Sequence, residues 1–371
     1  MAALAVARRF DRTDEQRAVP EPLPPAPERP GRPSSFGKRR LIDRIRRRVR
    51  VGAPWRDVPA CYGSWPTVWG YTVSMPSKDP EATLVNIRTT HHALLSRLLP
   101  DDRPDDLAVR QGQFHDVVIG SERVVCLPRT QAAADRLPER VAALRALAGL
   151  DLGIRTPEPL VQGGGDDTDE APFLVLSRIP GEPLDADALN DAHVAGTVAA
   201  QCATLLDGLA RAGTDDSVRA AVPHASQGRW QRFAQEVRAE LFALMSGTGR
   251  LRAERELTAL DRLPHLTRAV VHGDLGGANV LWEWDHGLPR LAGVLDWDDV
   301  SLGDPAEDLA AIGAGYGHDL LERVLALGSR SDDGLATRIA AIRGTFALQQ
   351  ALYALRDGDE EELADGLTGY R

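Results

Sequence analysis

Asp274 and Asn279 stand five positions apart in a glycine-rich segment, HGDLGGANVL. In phosphoryl transfer, an Asp at such a place orients or deprotonates the attacking hydroxyl, and an Asn five residues later helps to hold magnesium. A third candidate, Asp296, directly follows the apolar run 291–295, which predicts a strand. Carboxylate and amide oxygens are the hard ligands that magnesium prefers. The three residues therefore predict transfer of a nucleotide's terminal phosphoryl group.

The segments around these residues form one long compound pattern, HGDLGGANVL followed by VLDWDDVSLGDPAEDLA. Together they resemble the signature and the metal-binding segment of the aminoglycoside phosphotransferase family, whose members are small-molecule kinases. The resemblance covers about residues 75–371 and implies an α+β, protein-kinase-like fold with two lobes. Residues 75–178 are expected to form a nucleotide-binding lobe with an antiparallel sheet and a helix. Residues 179–371 are expected to form a mainly helical lobe that carries the catalytic loop and the acceptor pocket.

The resemblance also assigns roles to individual residues. It makes Asp274 the catalytic base or the residue that positions the hydroxyl. It makes Asn279 and Asp296 the ligands of Mg²⁺, and it gives His272 a bracing role in the catalytic loop.

Four further aspartates follow Asp296 closely in the sequence. Asp304 and Asp308 belong to GDPAEDLA and are expected to be structural, because an Asp ahead of Pro at a helix start can cap exposed amide groups. Asp298 and Asp299 face no obvious basic partner in the sequence. They either contact a cationic substrate or are solvated acids of a turn.

Upstream, LAVRQGQFHDVVIGSERVVCLPRT predicts two strands joined by a Gly-Ser turn. In the family, the tip of an early turn closes over the nucleotide phosphates, and residues 112–115 occupy the corresponding place. Gly112, Gln113 and His115 are therefore candidate nucleotide-binding residues. His115 either hydrogen-bonds a phosphate or is a surface residue of the turn.

One strand and the helix after it depart from the family's pattern. Relatives carry Lys or Arg in the strand of VVCLPRT to bind nucleotide phosphates, and Cys126 stands at that position. The Glu that pairs with this basic residue is expected in a helix predicted over 132–147, where Arg140 takes its place. Arg140 or Arg129 can supply positive charge to the phosphates from a new direction, because a guanidinium can donate two hydrogen bonds to phosphate oxygens at once. The alternative is a pseudoenzyme that binds nucleotide without turnover.

The segment FLVLSRIPGEPL, residues 173–184, resembles the linker between the two lobes. A nucleotide base is expected to hydrogen-bond backbone groups from Ser177 to Ile179, and side-chain identity constrains such bonds poorly. ATP and GTP therefore both remain open as the co-substrate.

Beyond the linker, the spacing of apolar residues predicts helices over 185–212, 229–245, 254–263 and 334–355. Three aromatic residues beyond the linker either line the acceptor pocket or pack in the core: Trp230, Tyr316 and Tyr353.

Residues 1–74 follow a different pattern. About residues 9–70, including GAPWRDVPACYGSWPTV, resemble the N-terminal region of insertion-sequence transposases of the DDE nuclease class. The resemblance stops after Gly70, so no transposition activity is carried over. The Pro-dense stretch 20–33 is expected to be extended or disordered beside a short helical segment.

Charge divides the chain at the same place. Residues 1–74 carry a balance of +8 and the remainder carries −18, within a net charge of −10. The basic run 38–50 can touch nucleic acid phosphates, and a DNA-binding module is a third hypothesis. A solvated basic helix, or a relic of an inserted element, is the more ordinary explanation, so we do not expect a nucleic acid partner.

Composition adds few constraints. The three cysteines have no metal-ligand or disulfide spacing, and no apolar run reaches the roughly 18 residues of a membrane span. We expect a cytoplasmic protein with no membrane partner. The predicted function is a phosphotransferase that moves the terminal phosphoryl group of ATP or GTP to a hydroxyl of a small molecule, such as an aminoglycoside, a macrolide or another amine-bearing acceptor.

Overall fold

The structure is a computed structural model. It describes Ile87 and residues 90–111, 114–150, 152–165, 170–328, 334–357 and 359–371. The transposase-like segment and its predicted disorder lie outside the described residues, as do Gly112 and Gln113. The chain divides into two compact units, Met1–Thr90 and His91–Arg371, and the elements below belong to the second unit.

A five-stranded antiparallel sheet forms the first part of this unit. It follows helix α1 (His92–Leu98) and consists of β1 (Ala108–Gln111), β2 (His115–Ile119), β3 (Arg123–Pro128), β4 (Pro159–Gly163) and β5 (Phe173–Ser177), in the order β1-β2-β3-β5-β4. The predicted turn separates β2 from β3. The apolar pattern did not predict β1, because its sequence AVRQ lacks the alternation of a half-buried strand.

Two helices follow β3 where the sequence predicts one over 132–147. They are α2 (Gln131–Asp135) and α3 (Leu137–Ala148). The interruption falls at Arg136, just before Pro138. Proline lacks a backbone N–H and suits the first turn of a helix, so it ends one helix and begins another. The buried face of α3 joins the core that contains Cys126 of β3, which directs the start of α3 toward the sheet.

The second part of the unit is mainly helical. Its helices are α4 (Ala192–Ala212), α5 (Asp216–Ala221), α6 (Arg229–Glu240), α7 (Gly247–Asp261), α8 (Ala306–Gly315), α9 (His318–Leu327), α10 (Leu335–Gly344), α11 (Phe346–Asp357) and α12 (Glu360–Gly366). The predicted segment 334–355 is thus two helices, with Thr345 between them. Within the described residues, no helix is long and apolar enough to cross a membrane.

Two small antiparallel sheets lie among these helices. One pairs β6 (Glu182–Pro183), β8 (Val280–Asp285) and β9 (Leu288–Val294), and the other pairs β7 (Ala269–Val271) with β10 (Ser301–Gly303). In the β8–β9 hairpin, Val280 pairs with Val294. Because antiparallel strands bring the start of one beside the end of the other, Asn279 and Asp296 emerge at the same end of the hairpin.

The three aromatic residues have different environments. Tyr316 is buried, and its hydroxyl accepts a hydrogen bond from Trp282 Nε1 at 3.2 Å, so it belongs to the core. Trp230 is half-buried and packs edge-on against Phe233. Tyr353 is 59% exposed, so it alone of the three presents most of its surface to solvent.

Candidate active site

His272 anchors the loop that leads from β7 to β8. Its side chain is fully buried, its Nε2 lies 2.7 Å from the carbonyl oxygen of Leu295, and its Nδ1 accepts the N–H of Asp274 at 3.2 Å. Burial lowers the pKa of His272, so the ring is neutral at neutral pH. The two bonds together require the proton on Nε2. The predicted bracing role of His272 is therefore confirmed by its contacts.

Asp308 holds the same loop from the other side. Its two carboxylate oxygens accept the N–H groups of His272 at 2.9 Å and Gly273 at 3.0 Å. Burial raises the pKa of Asp308 to about 7, against the opposing effect of these bonds. Asp304 caps the N–H of Ala306 and forms a buried ion pair with Arg338 at 2.7 Å. Both carboxylates thus have the structural role that the sequence predicts.

Asp274 and Asn279 lie in direct contact. The side-chain nitrogen of Asn279 donates to the backbone oxygen of Asp274 at 2.8 Å and to its carboxylate at 3.0 Å. The backbone oxygen of Asn279 accepts the N–H of Leu295 at 2.8 Å, which ties the loop to the end of β9. An amide nitrogen donates hydrogen bonds and does not ligate a cation, so the side-chain oxygen of Asn279 is the atom that can face a metal ion.

Asp296 combines an unusual backbone with an unusual carboxyl group. Its φ is +60°, in the left-handed region that few residues other than glycine adopt. Its side chain is open to solvent on one side and surrounded by protein on the others. This burial, followed by the charge of Asp298, raises the pKa of Asp296 to about 6. Asp274 and Asp299 act in the same direction, so the four carboxylates lie within electrostatic reach of one another.

These residues fit a magnesium ion. The atoms that they offer to a metal are oxygens. Burial and then the neighbouring carboxylates raise the pKa of Asp296, and a divalent cation would balance the negative charge of these carboxylates. No group of three or more Asp, Glu, His or Cys side chains in the described part of the chain is arranged to hold a metal alone. Magnesium usually takes one or two carboxylates and completes its shell with phosphates and water, so Asn279 and Asp296 would suffice.

Asp298 has a basic partner that the sequence did not reveal. Its Oδ1 lies 2.6 Å from Nε of Arg140, and its Oδ2 lies 3.7 Å from Nδ1 of His115. The interpretation of Asp298 as an acid without a basic partner is therefore wrong. Arg140 stands 158 positions earlier on α3, so no local pattern relates the two residues. The replacement of the expected Glu by Arg at position 140 was the only available signal.

The candidate nucleotide-binding residues occupy separate places around the sheet. His115 begins β2 and is only 8% exposed, so the alternative of a surface residue is wrong. Burial and then Arg140 lower the pKa of His115. Ser177 ends β5, where its N–H is bonded to the oxygen of Glu158 and its hydroxyl accepts the N–H of Glu158. Ile179 follows in the linker and packs against Leu281 and Ala292 beneath it.

We expect that the catalytic loop requires glycine at position 273. Its φ is +88°, and a Cβ there would lie 3.0 Å from both Cβ and the backbone oxygen of Asp299. We expect Gly273→Ala to lower the free energy of unfolding by about 1 kcal/mol or more and to reduce turnover, because the next residue is Asp274. Denaturant unfolding and steady-state kinetics measure the two effects.

Gly196 is the matched control for this substitution. It lies inside α4, and a Cβ there meets nothing within 4 Å. We expect Gly196→Ala to stabilise the protein by about 0.5–1 kcal/mol and to leave turnover unchanged. Equal stability of the Gly273→Ala variant and the wild type would show that the loop tolerates a side chain at that position.

Comparison with known proteins extends this description. Residues 106–341 match the family model described as the phosphotransferase enzyme family, and residues 13–78 match one described as a putative transposase of the IS4/5 family. The chain is 68% identical over 287 residues to the viomycin phosphotransferase of Streptomyces vinaceus. The matched region covers 77% of this chain and 100% of that protein. The predicted resemblances of both segments are confirmed.

Solved structures share the fold at much lower identity. The GDP complex of an aminoglycoside 2'-phosphotransferase of type IIIa is 20% identical with a TM-score of 0.64, covering 76% of this chain and 96% of that one. A macrolide 2'-phosphotransferase from Brachybacterium faecium is 22% identical with a TM-score of 0.54, covering 75% and 98%. The predicted kinase-like fold is confirmed. The chain thus belongs to the phosphotransferase enzyme family and is a small-molecule phosphotransferase that acts on a hydroxyl group.

Proposed function

We propose that this enzyme transfers the terminal phosphoryl group of ATP or GTP to a hydroxyl of viomycin or of a close chemical relative. The proposal is carried by the 68% identity, which extends over the full length of the viomycin phosphotransferase. The match spans the whole of that protein and is not confined to the catalytic loop. We expect the enzyme in the cytoplasm, where nucleoside triphosphates are available.

Asp274 would carry the central step of this reaction. Its carboxylate orients the acceptor hydroxyl and takes its proton as the oxygen attacks the terminal phosphorus. Asn279 holds that carboxylate in place through its side-chain nitrogen, at 3.0 Å. His272 and Asp308 fix the loop by bonds that need no substrate, so the geometry exists before the substrates bind.

Asn279 and Asp296 would hold magnesium at the end of the β8–β9 hairpin. When bound, the ion neutralises charge on the nucleotide phosphates and on the developing transition state. Gly112, Gln113 and His115 would contact the phosphates. The base would bond to the backbone near Ser177 and Ile179. The N–H groups of Ser177 and Arg178 are already bonded to carbonyl oxygens, so Ile179 is the better placed linker residue.

The acceptor side of the site carries negative charge. Burial and then Asp298 raise the pKa of Asp299. Partial desolvation of the ring and then the charge of Asp299 raise the pKa of Tyr353, so Tyr353 and Asp299 lie within electrostatic reach. A field of this sign favours an acceptor that carries positive charge, and an exposed tyrosine ring can contact a cation by its face.

The acceptor is tested by comparing kcat/KM for viomycin, kanamycin and a macrolide at saturating nucleotide. We expect viomycin to be favoured by about a hundredfold or more, because buried polar groups that lose their partners discriminate strongly between acceptors. The full chain and the Asp299→Asn variant are compared, and the variant is expected to raise KM for viomycin. A higher kcat/KM for kanamycin or the macrolide would contradict the proposed acceptor.

The DNA-binding hypothesis rests on residues outside the described part of the chain. It predicts salt-sensitive duplex binding that disappears when residues 1–74 are deleted. Failure of the full chain to bind a duplex at low salt would remove it.

A further inference from the structure

The carboxylates of the active site outnumber its cations. Asp274, Asp298 and Asp299 lie within electrostatic reach of Asp296, and Arg140 is the cation that lies within the same reach. A nucleoside triphosphate brings several more negative charges to this place. Binding therefore needs fixed positive charge from the protein in addition to magnesium.

Arg140 lies at the centre of this site. It projects from α3, and its side chain is 15% exposed. Its Nε lies 2.6 Å from Asp298, and its Nη1 lies 3.3 and 3.4 Å from the two ring nitrogens of His115. One side chain thus joins the helix, the start of β2 and the segment that follows the metal-binding Asp296.

Cys126 makes room for this guanidinium. It occupies the middle of β3, pairs with Val117 and Leu174 in the neighbouring strands, and is 2% exposed. Burial raises the pKa of the Cys126 thiol and the charge of Arg140 opposes this, so the two side chains lie within electrostatic reach of each other. The charge of the arginine therefore acts at the strand position at which a basic residue was expected. The small, uncharged thiol does not repel it.

We propose that Arg140 binds the phosphates of the nucleotide and replaces, from the helix, the basic residue that the strand lacks. Asp298 contacts the guanidinium at Nε. The planar guanidinium carries five N–H donors in total. Nη1 lies against His115, so the donors of Nη2 are the ones that we assign to phosphate oxygens. The contact with Asp298 is an ion pair at Nε and involves one edge of the guanidinium. This inference rests on the nucleotide part of the proposed function and is independent of the acceptor.

A merely structural Arg140 would tie α3 to the segment around Asp298 without touching the ligand. The two roles differ in which part of the nucleotide they affect. Loss of a phosphate contact weakens binding of a triphosphate and spares binding of a nucleoside, which has no phosphate. Loss of a structural tie disturbs the site as a whole and weakens both.

The test measures affinities of the full chain for ATP and GTP with magnesium, and for adenosine and guanosine, by isothermal titration and competition. We expect Arg140→Gln to weaken triphosphate binding about tenfold or more, and to change nucleoside affinity by less than about twofold. Arg140→Lys should retain part of the affinity, because it keeps the charge and loses the fork. Arg145→Gln, an exposed position on the same helix, should change neither affinity.

Arg140→Gln leaves Asp298 without its cation, so a second variant protects the test from misfolding. Arg140→Gln combined with Asp298→Asn removes both charges of the pair and should show the same selective loss of triphosphate affinity. Equal weakening of nucleoside and triphosphate in this double variant, or no weakening, would overturn the inference. Failure of every acceptor with intact selective binding would overturn the proposed acceptor and leave the inference standing.

Discussion

Asp274→Asn is expected to lower kcat by about a hundredfold to ten-thousandfold and to leave nucleotide affinity nearly unchanged. An amide keeps the shape of the carboxylate and can still accept the hydrogen bond that Asn279 donates at 3.0 Å. It cannot take a proton from the acceptor hydroxyl. Steady-state kinetics and nucleotide titration on the same preparation separate the two effects.

Asp285→Asn is the matched control for that variant. Asp285 lies at the opposite end of the β8–β9 hairpin, where it pairs with Leu288, and its side chain is 66% exposed. We expect no change in kcat or in nucleotide affinity. Full activity of Asp274→Asn would show that another group performs its role, and a large loss of nucleotide affinity would show that Asp274 acts mainly in binding.

Asp296→Asn is expected to abolish most turnover and, at neutral pH, to stabilise the nucleotide-free protein. Asn is a poorer ligand for magnesium, because it brings no charge. The stability follows from the pKa of Asp296, which burial and then Asp298 raise from 3.8 to about 6. Ionisation of Asp296 is therefore less favourable in the folded state than in the unfolded state. The amide of Asn does not ionise, so the variant does not bear this cost. Asn also tolerates the left-handed backbone at this position.

The pH dependence gives the sign of the effect. Between the ordinary value of 3.8 and about 6, the folded state retains a proton at Asp296 that the unfolded state releases. The contribution of Asp296 to wild-type stability thus falls as pH rises through this window and then levels off. Screening by solvent limits the gain of Asp296→Asn to the order of 1 kcal/mol at neutral pH, and the gain should vanish near pH 4. A variant less stable than the wild type at neutral pH would contradict this account.

The catalytic loop could be predicted from sequence because its parts are close together in the chain. The pattern from His272 to Asp308 includes the residues that brace the loop and those that would act on the substrate. Even the bonds from Asp308 to His272 and Gly273 connect positions within one compound motif. A pattern this long fixes both local structure and spacing, so residue types alone indicated the chemistry.

The surroundings of the loop could be predicted less well. Pro138 was a visible signal for the break between α2 and α3, but the amphipathic pattern on both sides of it favoured one helix. The pairing of Arg140 with Asp298 depends on how α3 packs on the sheet, which no local pattern encodes. The burial of His115 has the same origin, since only tertiary packing separates a buried first residue of a strand from an exposed turn.

The departures at Cys126 and Arg140 are related in the structure. The sequence shows a missing basic residue on the strand and an unexpected one on the helix. The structure places the charge of Arg140 within electrostatic reach of the Cys126 thiol. A loss of charge at one position is thereby accompanied by a gain at its neighbour in space, which favours retained nucleotide binding.

Transfer of a labelled terminal phosphoryl group from ATP or GTP to viomycin tests the central claim most directly. The full chain is assayed with magnesium, with a chelator and as the Asp274→Asn variant. We predict labelled viomycin only with the wild type and magnesium. Nucleotide binding without transfer to viomycin or any other acceptor would contradict the claim and support the nucleotide-binding pseudoenzyme. Equal transfer by Asp274→Asn would contradict the role of Asp274.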